Sequence, residues 1–147
     1  MTKPNILVLC TGNSARSQMA EGLLRRAAGD RFDVFSAGLE PKGVHPMAIR
    51  VMAEIGIDIG GHKSKGVEEF LGKKTFRHVI SVCDHASRSC PRLFPGVSNM
   101  LHWSIEDPAA FQGNDDDRLE KFREVRDQIV EKIKAWVPTV KEKRSSV

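Results

Sequence analysis

The chain has 147 residues, 40% of them hydrophobic and 29% charged, and 23 Lys+Arg against 19 Asp+Glu leave a formal net charge of +4. A chain of this length buries roughly 70% of its unfolded surface, so one domain over residues 1–138 with its own core is expected, followed by a frayed tail at 139–147. The composition excludes general disorder. The small positive excess is spread along the sequence, without zinc-finger spacing or aromatic–basic interleaving, so no nucleic-acid partner is expected.

No stretch approaches the roughly 20 apolar residues that cross a bilayer, so no membrane partner is expected. The first apolar run, Ile6 to Cys10, is too short for a secretory signal. A cytoplasmic protein follows, in a compartment where thiols stay reduced. There are three cysteines, an odd number that cannot all pair within one chain.

In chain order, residues 5–9 read as a strand buried on both faces. Ser17 to Ala28 carries a helical stripe of Met19, Leu23, Leu24 and Ala27, stopping at Gly29. Asp33 to Ser36 is a second strand. Pro46 suits the first position of a helix striped by Ile49, Met52 and Ile55, with Gly56 at its end. A short amphipathic turn spans Val67 to Leu71, and strands are predicted at His78 to Val82 and Met100 to Trp103. A last helix carries Leu119, Phe122, Ile129, Ile133 and Trp136 on one face, begins near the acidic run Asp115 to Asp117, and ends at Pro138. That acidic run reads as a solvated helix start rather than a metal loop.

Strands alternating with helices predict an α/β fold: a three-layer sandwich with a four-stranded parallel sheet and helices on both faces. Ligands in such folds bind beyond the carboxyl ends of the strands, where strand order reverses. Cys10 follows the first strand and Cys83 the third.

The segment Cys10-Thr11-Gly12-Asn13-Ser14-Ala15-Arg16-Ser17 has the form C-x5-R-S. Bare spacing of this kind is weak; its place between a buried strand and a helix gives it weight. Gly12 and Asn13 tolerate the positive φ of a tight loop. Consecutive amides and the helix N-terminus then converge on a tetrahedral oxyanion, Arg16 clamps its oxygens, and the same field favours an anionic Cys10 sulfur, to which Ser17 can donate. The plainer reading is a packed strand-end cysteine beside an ordinary helix-start arginine.

The stretches CTGNSARSQMAEGLL, SAGLEPKGVHPMAI, VCDHASRSCP and HWSIEDPAA together resemble the thioredoxin-coupled arsenate reductases built on the low-molecular-weight protein tyrosine phosphatase fold, in register from about residue 5 to about residue 137. The resemblance implies reduction of arsenate to arsenite, with phosphate or sulfate as mimics, thioredoxin as reductant, and neither cofactor nor metal. It makes Cys10 the nucleophile, residues Thr11 to Ser17 the oxyanion cradle, and Asp107 of Asp107-Pro108 the acid. It also implies a relay in which Cys83 attacks Cys10 and Cys90 then attacks Cys83. Seven residues of intact helix separate two Cα atoms by about 10.5 Å, beyond the roughly 7 Å limit of a disulfide, so the segment between Cys83 and Cys90 must loop or unwind if they pair. Cys83, His85 and Cys90 fit no common zinc spacing.

The sequence departs from the family pattern at two positions. Ala15 stands where some relatives carry a bystander cysteine. Lys65 stands where some relatives carry an acid that, with residues matching Asn13, Glu21 and Ser36, binds potassium; an ammonium there is expected to replace the ion and pair with Glu21. His62 reads as a surface histidine, with a place in the same group around Glu21 as the alternative. Ala109-Ala110 follows Asp107-Pro108 where phosphatases of this fold place aromatic residues, leaving a phenol ring little to stack on. Two other readings stay open: a phosphatase of the same fold, and a thiol module that binds oxyanion or arsenite without turnover.

Overall fold

A computed structural model describes residues 3–83, 97 and 99–140. Cys90, the segment that would loop between it and Cys83, and residues 141–147 of the expected tail lie outside the described residues.

The chain begins with β1 (Asn5–Cys10), whose Ile6, Leu7, Val8 and Leu9 have no solvent exposure. A central strand covered on both faces needs apolar residues at every position, and this run supplies them. It is followed by α1 (Arg16–Ala28), β2 (Asp33–Gly38), α2 (Pro46–Ala53), a 3₁₀ turn at Val67–Glu69, β3 (His78–Ser81) and β4 (Asn99–His102). A second 3₁₀ turn at Pro108–Ala110 leads to α3 (Asp115–Trp136) and a last one at Val137–Thr139. The strands order as β2-β1-β3-β4, and every neighbouring pair is parallel. Among the described residues no helix is long and apolar enough to cross a membrane.

The two faces of the sheet can be told apart from β2. Ser36 bonds to Glu21 of α1, so its strand neighbour Phe35 points to the opposite face. There Phe35 meets Phe70 and Phe76, ring centroids 5.6 and 6.1 Å away, from the chain around the first 3₁₀ turn. On the other side α1, α2 and α3 pack against one another. At the foot of the sheet His78 sits edge-on to Phe32 and Trp136, with centroids 5.7 and 5.2 Å away.

Boundaries differ from the sequence reading for local reasons. The last turn of α2 closes at Ala53 because Gly56 takes a positive φ of 81° and turns the chain before Ile55 can extend the helix. Asn114 caps α3 by accepting the amide of Asp117 at 2.8 Å, so the acidic run fills the first turn. β2 runs on past Ser36 to Gly38, which pairs with Cys10, so the ladder continues to the end of β1.

Strand order reverses at β1, which has β2 on one side and β3 on the other. The loops leaving β1 and β3 therefore diverge over a crevice, and this is where Cys10 and Cys83 stand.

Candidate active site

Residues Thr11 to Ala15 link β1 to α1, and their peptide groups share one arrangement. The carbonyl of Cys10 accepts Leu39 N at 3.1 Å, that of Thr11 accepts Glu40 N at 2.7 Å, and that of Ser14 accepts His45 N at 3.1 Å. The Gly12 carbonyl takes Lys42 N at 3.0 Å and Ser64 Oγ at 2.9 Å; the Asn13 carbonyl takes Ser64 Oγ at 2.7 Å. The carbonyls are thus held outward by the chain after β2 and by Ser64. In a planar trans peptide the N–H points opposite to the C=O, so the amides turn inward, over Cys10. One of them, Asn13 N, already meets Cys10 Sγ at 3.1 Å, and Ser17 Oγ lies 2.9 Å from the same sulfur.

Asn13 makes this turn possible. Its φ of 47° places it in the left-handed region, which Asn tolerates better than most side chains. Its buried amide then fills its bonding capacity: Nδ2 donates to Ser17 Oγ and Ser36 Oγ at 2.8 and 2.9 Å, and Oδ1 accepts Gln18 Nε2 and Lys65 N at 3.0 and 2.8 Å. Gly38 lies directly behind the loop, where a Cβ would stand 2.6 Å from Thr11 O and 2.7 Å from Asn13 N.

Arg16 opens α1 and reaches across the crevice. Its Nη1 donates to Val82 O and Ile105 O at 3.2 and 3.0 Å, and Nη2 lies 3.8 Å from Asp107 Oδ2. Asp107 itself caps the Pro108–Ala110 turn, accepting Ala109 N through Oδ1 at 3.0 Å, which leaves Oδ2 as the oxygen facing Arg16. Together Cys10, the loop, Arg16, Asp107, Ala109, Lys42 and His45 enclose a cleft of about 460 Å³. Cys83 is buried beside the loop, with Sγ 3.2 Å from Thr11 Oγ1, and lines a neighbouring hollow that shares Arg16 with the cleft.

Behind the loop lies a second group of charges. Glu21 is 3% exposed; it accepts Ser36 Oγ at 2.5 Å and pairs with Arg25 at 2.7 Å. Lys65 Nζ stands 3.9 Å from Glu21 and donates to Lys63 O at 3.0 Å. The ammonium therefore does face Glu21, but Arg25, four residues along α1, is the nearer cation, and the sequence reading missed it. His62 is half-buried rather than at the surface: its Nδ1 lies 3.0 Å from Gln18 Oε1 and 3.8 Å from Glu21. Burial lowers its pKa, opposed by Glu21 and aided by Arg25 and Lys65. Gln18, buried and bonded to Asn13, Lys63 and His62, was also overlooked. A glutamine directly after C-x5-R-S, in the first turn of the helix that follows the loop, was the available signal.

The cleft thus gathers Cys10, Arg16 and Asp107 around one loop, Cys83 touches that loop through Thr11, and the second group contains Glu21, Ser36 and Lys65. The low molecular weight phosphotyrosine protein phosphatase model matches residues 5–146. The chain belongs to that family.

Arsenate reductases are among the proteins similar to it. An arsenate reductase of Halalkalibacterium halodurans is 44% identical over 141 residues, covering 96% of this chain and all of the relative. A solved arsenate reductase in its oxidized state superposes with a TM-score of 0.78 at 34% identity, covering 93% of this chain and 98% of that one. An arsenate reductase in a phosphate-binding state gives 0.74 at 34% identity, covering 94% and 99%. The family fold is the expected four-stranded parallel α/β sandwich.

Proposed function

We propose that this chain is an arsenate reductase that works through a thiol relay and is regenerated by thioredoxin. The observation that carries the reading is the second thiol on the loop: Cys83 Sγ rests against Thr11 Oγ1, one residue from Cys10. Phosphoryl transfer needs the loop, an arginine and an acid; it has no use for a second sulfur at the rim.

The steps follow from the groups present. Arsenate sits over Cys10 with its oxygens on the inward amides of residues 11–17 and on Arg16, whose fork exchanges its carbonyl partners for the oxyanion. The Cys10 sulfur, already hydrogen-bonded by Asn13 N, attacks arsenic. One As–O bond breaks, and Asp107 gives its proton to the departing oxygen, which leaves as water. Cys83 then attacks the Cys10 sulfur. The As–S electron pair stays with arsenic, which falls from the pentavalent to the trivalent state and leaves as arsenite, while a Cys10–Cys83 disulfide holds the two-electron oxidation. Attack of Cys90 on Cys83 frees Cys10, and the external dithiol thioredoxin reduces the Cys83–Cys90 disulfide. No cofactor or metal enters. A cytoplasmic setting, where thioredoxin keeps thiols reduced, suits the chemistry.

The rim also favours a small anion. Ala109 lines the cleft, and the nearest aromatic residue after it, Phe111, lies under the Lys121 ammonium at 5.1 Å.

The deciding assay follows NADPH oxidation with arsenate, thioredoxin and thioredoxin reductase, beside hydrolysis of an aryl phosphate. Sustained arsenate-dependent NADPH oxidation is expected of the wild-type protein, whereas Cys90→Ser should release one arsenite per chain, oxidise no NADPH, and be found by mass mapping with Cys10 and Cys83 joined. Fast aryl phosphate turnover without arsenate reduction, or tight arsenite binding without turnover, overturns the reading.

A further inference from the structure

His45 stands in the loop between β2 and α2, immediately before Pro46, and its backbone is extended as a residue preceding proline prefers. Four contacts fix it. Its own amide donates to Ser14 O of the oxyanion loop at 3.1 Å. Its Nδ1 accepts Met47 N at 3.1 Å, so the ring serves as the cap of α2. The ring packs on Phe122 of α3, centroids 4.7 Å apart. The residue also lines the cleft with Cys10, Arg16, Lys42 and Asp107.

These contacts determine the chemistry of the ring. A nitrogen that accepts an amide proton carries none itself, so Nδ1 is the bare nitrogen and the neutral ring must hold its proton on Nε2. Burial favours that neutral form by lowering the pKa; Arg118 adds to the effect and Asp107 opposes it. Among the described residues Nε2 has no protein partner. A fixed ring with one committed nitrogen therefore offers a single oriented N–H donor at the cleft.

We propose that His45 is a substrate-binding residue: its Nε2–H donates to an oxygen of the oxyanion seated over Cys10, on the side toward Asp107. The loop amides and Arg16 grip the oxygens from below and from one flank. His45 completes the grip from the β2 side, and its amide bond to Ser14 ties donor and loop into one rigid unit. The inference rests on the oxyanion reading of the cleft but not on which reaction follows binding.

The test uses the full-length reduced protein and inorganic phosphate as probe. His45→Asn keeps an oxygen acceptor for Met47 N, so the cap of α2 survives, and removes the Nε2 donor. A hydrogen bond to a charged oxygen supports a rise of roughly tenfold or more in the phosphate Kd. The arsenate KM should rise in step while kcat moves less than threefold. In the wild-type protein, imidazole ¹H–¹⁵N correlation should show Nε2 protonated and Nδ1 bare, with the Nε2 resonance moving as phosphate is added. An unchanged phosphate Kd in a folded His45→Asn variant overturns the proposal. So does an Nδ1–H tautomer, or an Nε2 signal indifferent to phosphate; this wild-type measurement decides even if the variant does not fold. Loss of arsenate turnover with the phosphate-dependent shift intact would instead count against the reductase reading alone.

Discussion

Gly38→Ala tests whether the oxyanion loop is held from behind. Gly38 is the last residue of β2, paired with Cys10, and its amide is anchored to Lys65 O at 2.8 Å. An added Cβ would stand 2.6 Å from Thr11 O, 2.7 Å from Asn13 N and 3.0 Å from Asn13 Cβ, where ordinary contact needs at least 3.4 Å. Two of these three atoms are backbone, and both peptides are already tied by hydrogen bonds, so neither can swing aside as a side chain would. Overpacking of this kind costs roughly 1–3 kcal/mol, and the rigid neighbours place it near the upper end. With a urea m value of about 2 kcal/mol/M, the unfolding midpoint should fall by about 1 M or more. If the loop yields instead, its amides leave the oxyanion by part of an ångström, and kcat/KM for arsenate should drop roughly 100-fold. Urea unfolding and steady-state kinetics on one preparation read both outcomes. A variant with its midpoint within 0.3 M of wild type and kcat/KM within about threefold would refute the reasoning, because one of the two costs must appear.

Other expectations follow from single contacts. With Arg25 and Lys65 answering Glu21, arsenate turnover should be the same in potassium and sodium at equal ionic strength; a steep rise with potassium refutes the pairing. Asp107→Asn should lower arsenate reduction by roughly 10²–10⁴-fold while leaving phosphate affinity nearly unchanged, since proton donation is lost but the loop is not; equal losses in both would move Asp107 from acid to binding group. His78 has a pKa lowered by burial and, secondarily, by Arg77. Its neutral form is therefore the folded one: stability is unaffected above the ordinary histidine value and declines as pH falls below it, because the unfolded chain takes up the proton first. His78→Phe should flatten the urea midpoint between pH 7 and pH 5; an unchanged slope would assign the acid sensitivity elsewhere.

Periodicity made the sheet and helices legible because each element satisfies its own pattern locally. The unbroken apolar run of β1 dictates a strand covered on both faces, and Pro46 and Asn114 mark helix starts by chemistry that needs no distant partner. The ends of β2 and α2 were less legible. β2 continues to Gly38 because Cys10 and Lys65 lie beside it, and only the folded chain brings them there. The same division runs through the cleft. Cys10, Arg16 and their spacing are visible along one stretch, whereas the carbonyl anchors from Leu39, Glu40, Lys42 and His45 arrive from beyond the next strand.

At His45, local cap chemistry and the topology of the sheet act together. Placing Pro46 at the first position of α2 makes His45 its cap by necessity, and a capping histidine has one ring nitrogen committed and the other free. The chain between β2 and α2 is short, and it leaves β2 at the carboxyl edge where the crevice opens. Helix-cap chemistry, strand direction and the position of the crevice together support the proposed contact, which no motif contains. Lys65 and Arg25 make the complementary point. The substitution at Lys65 was visible in the sequence, but which cation answers Glu21 depends on a 2.7 Å contact one turn along α1 against one of 3.9 Å from a distant loop, and that ranking belongs to the fold.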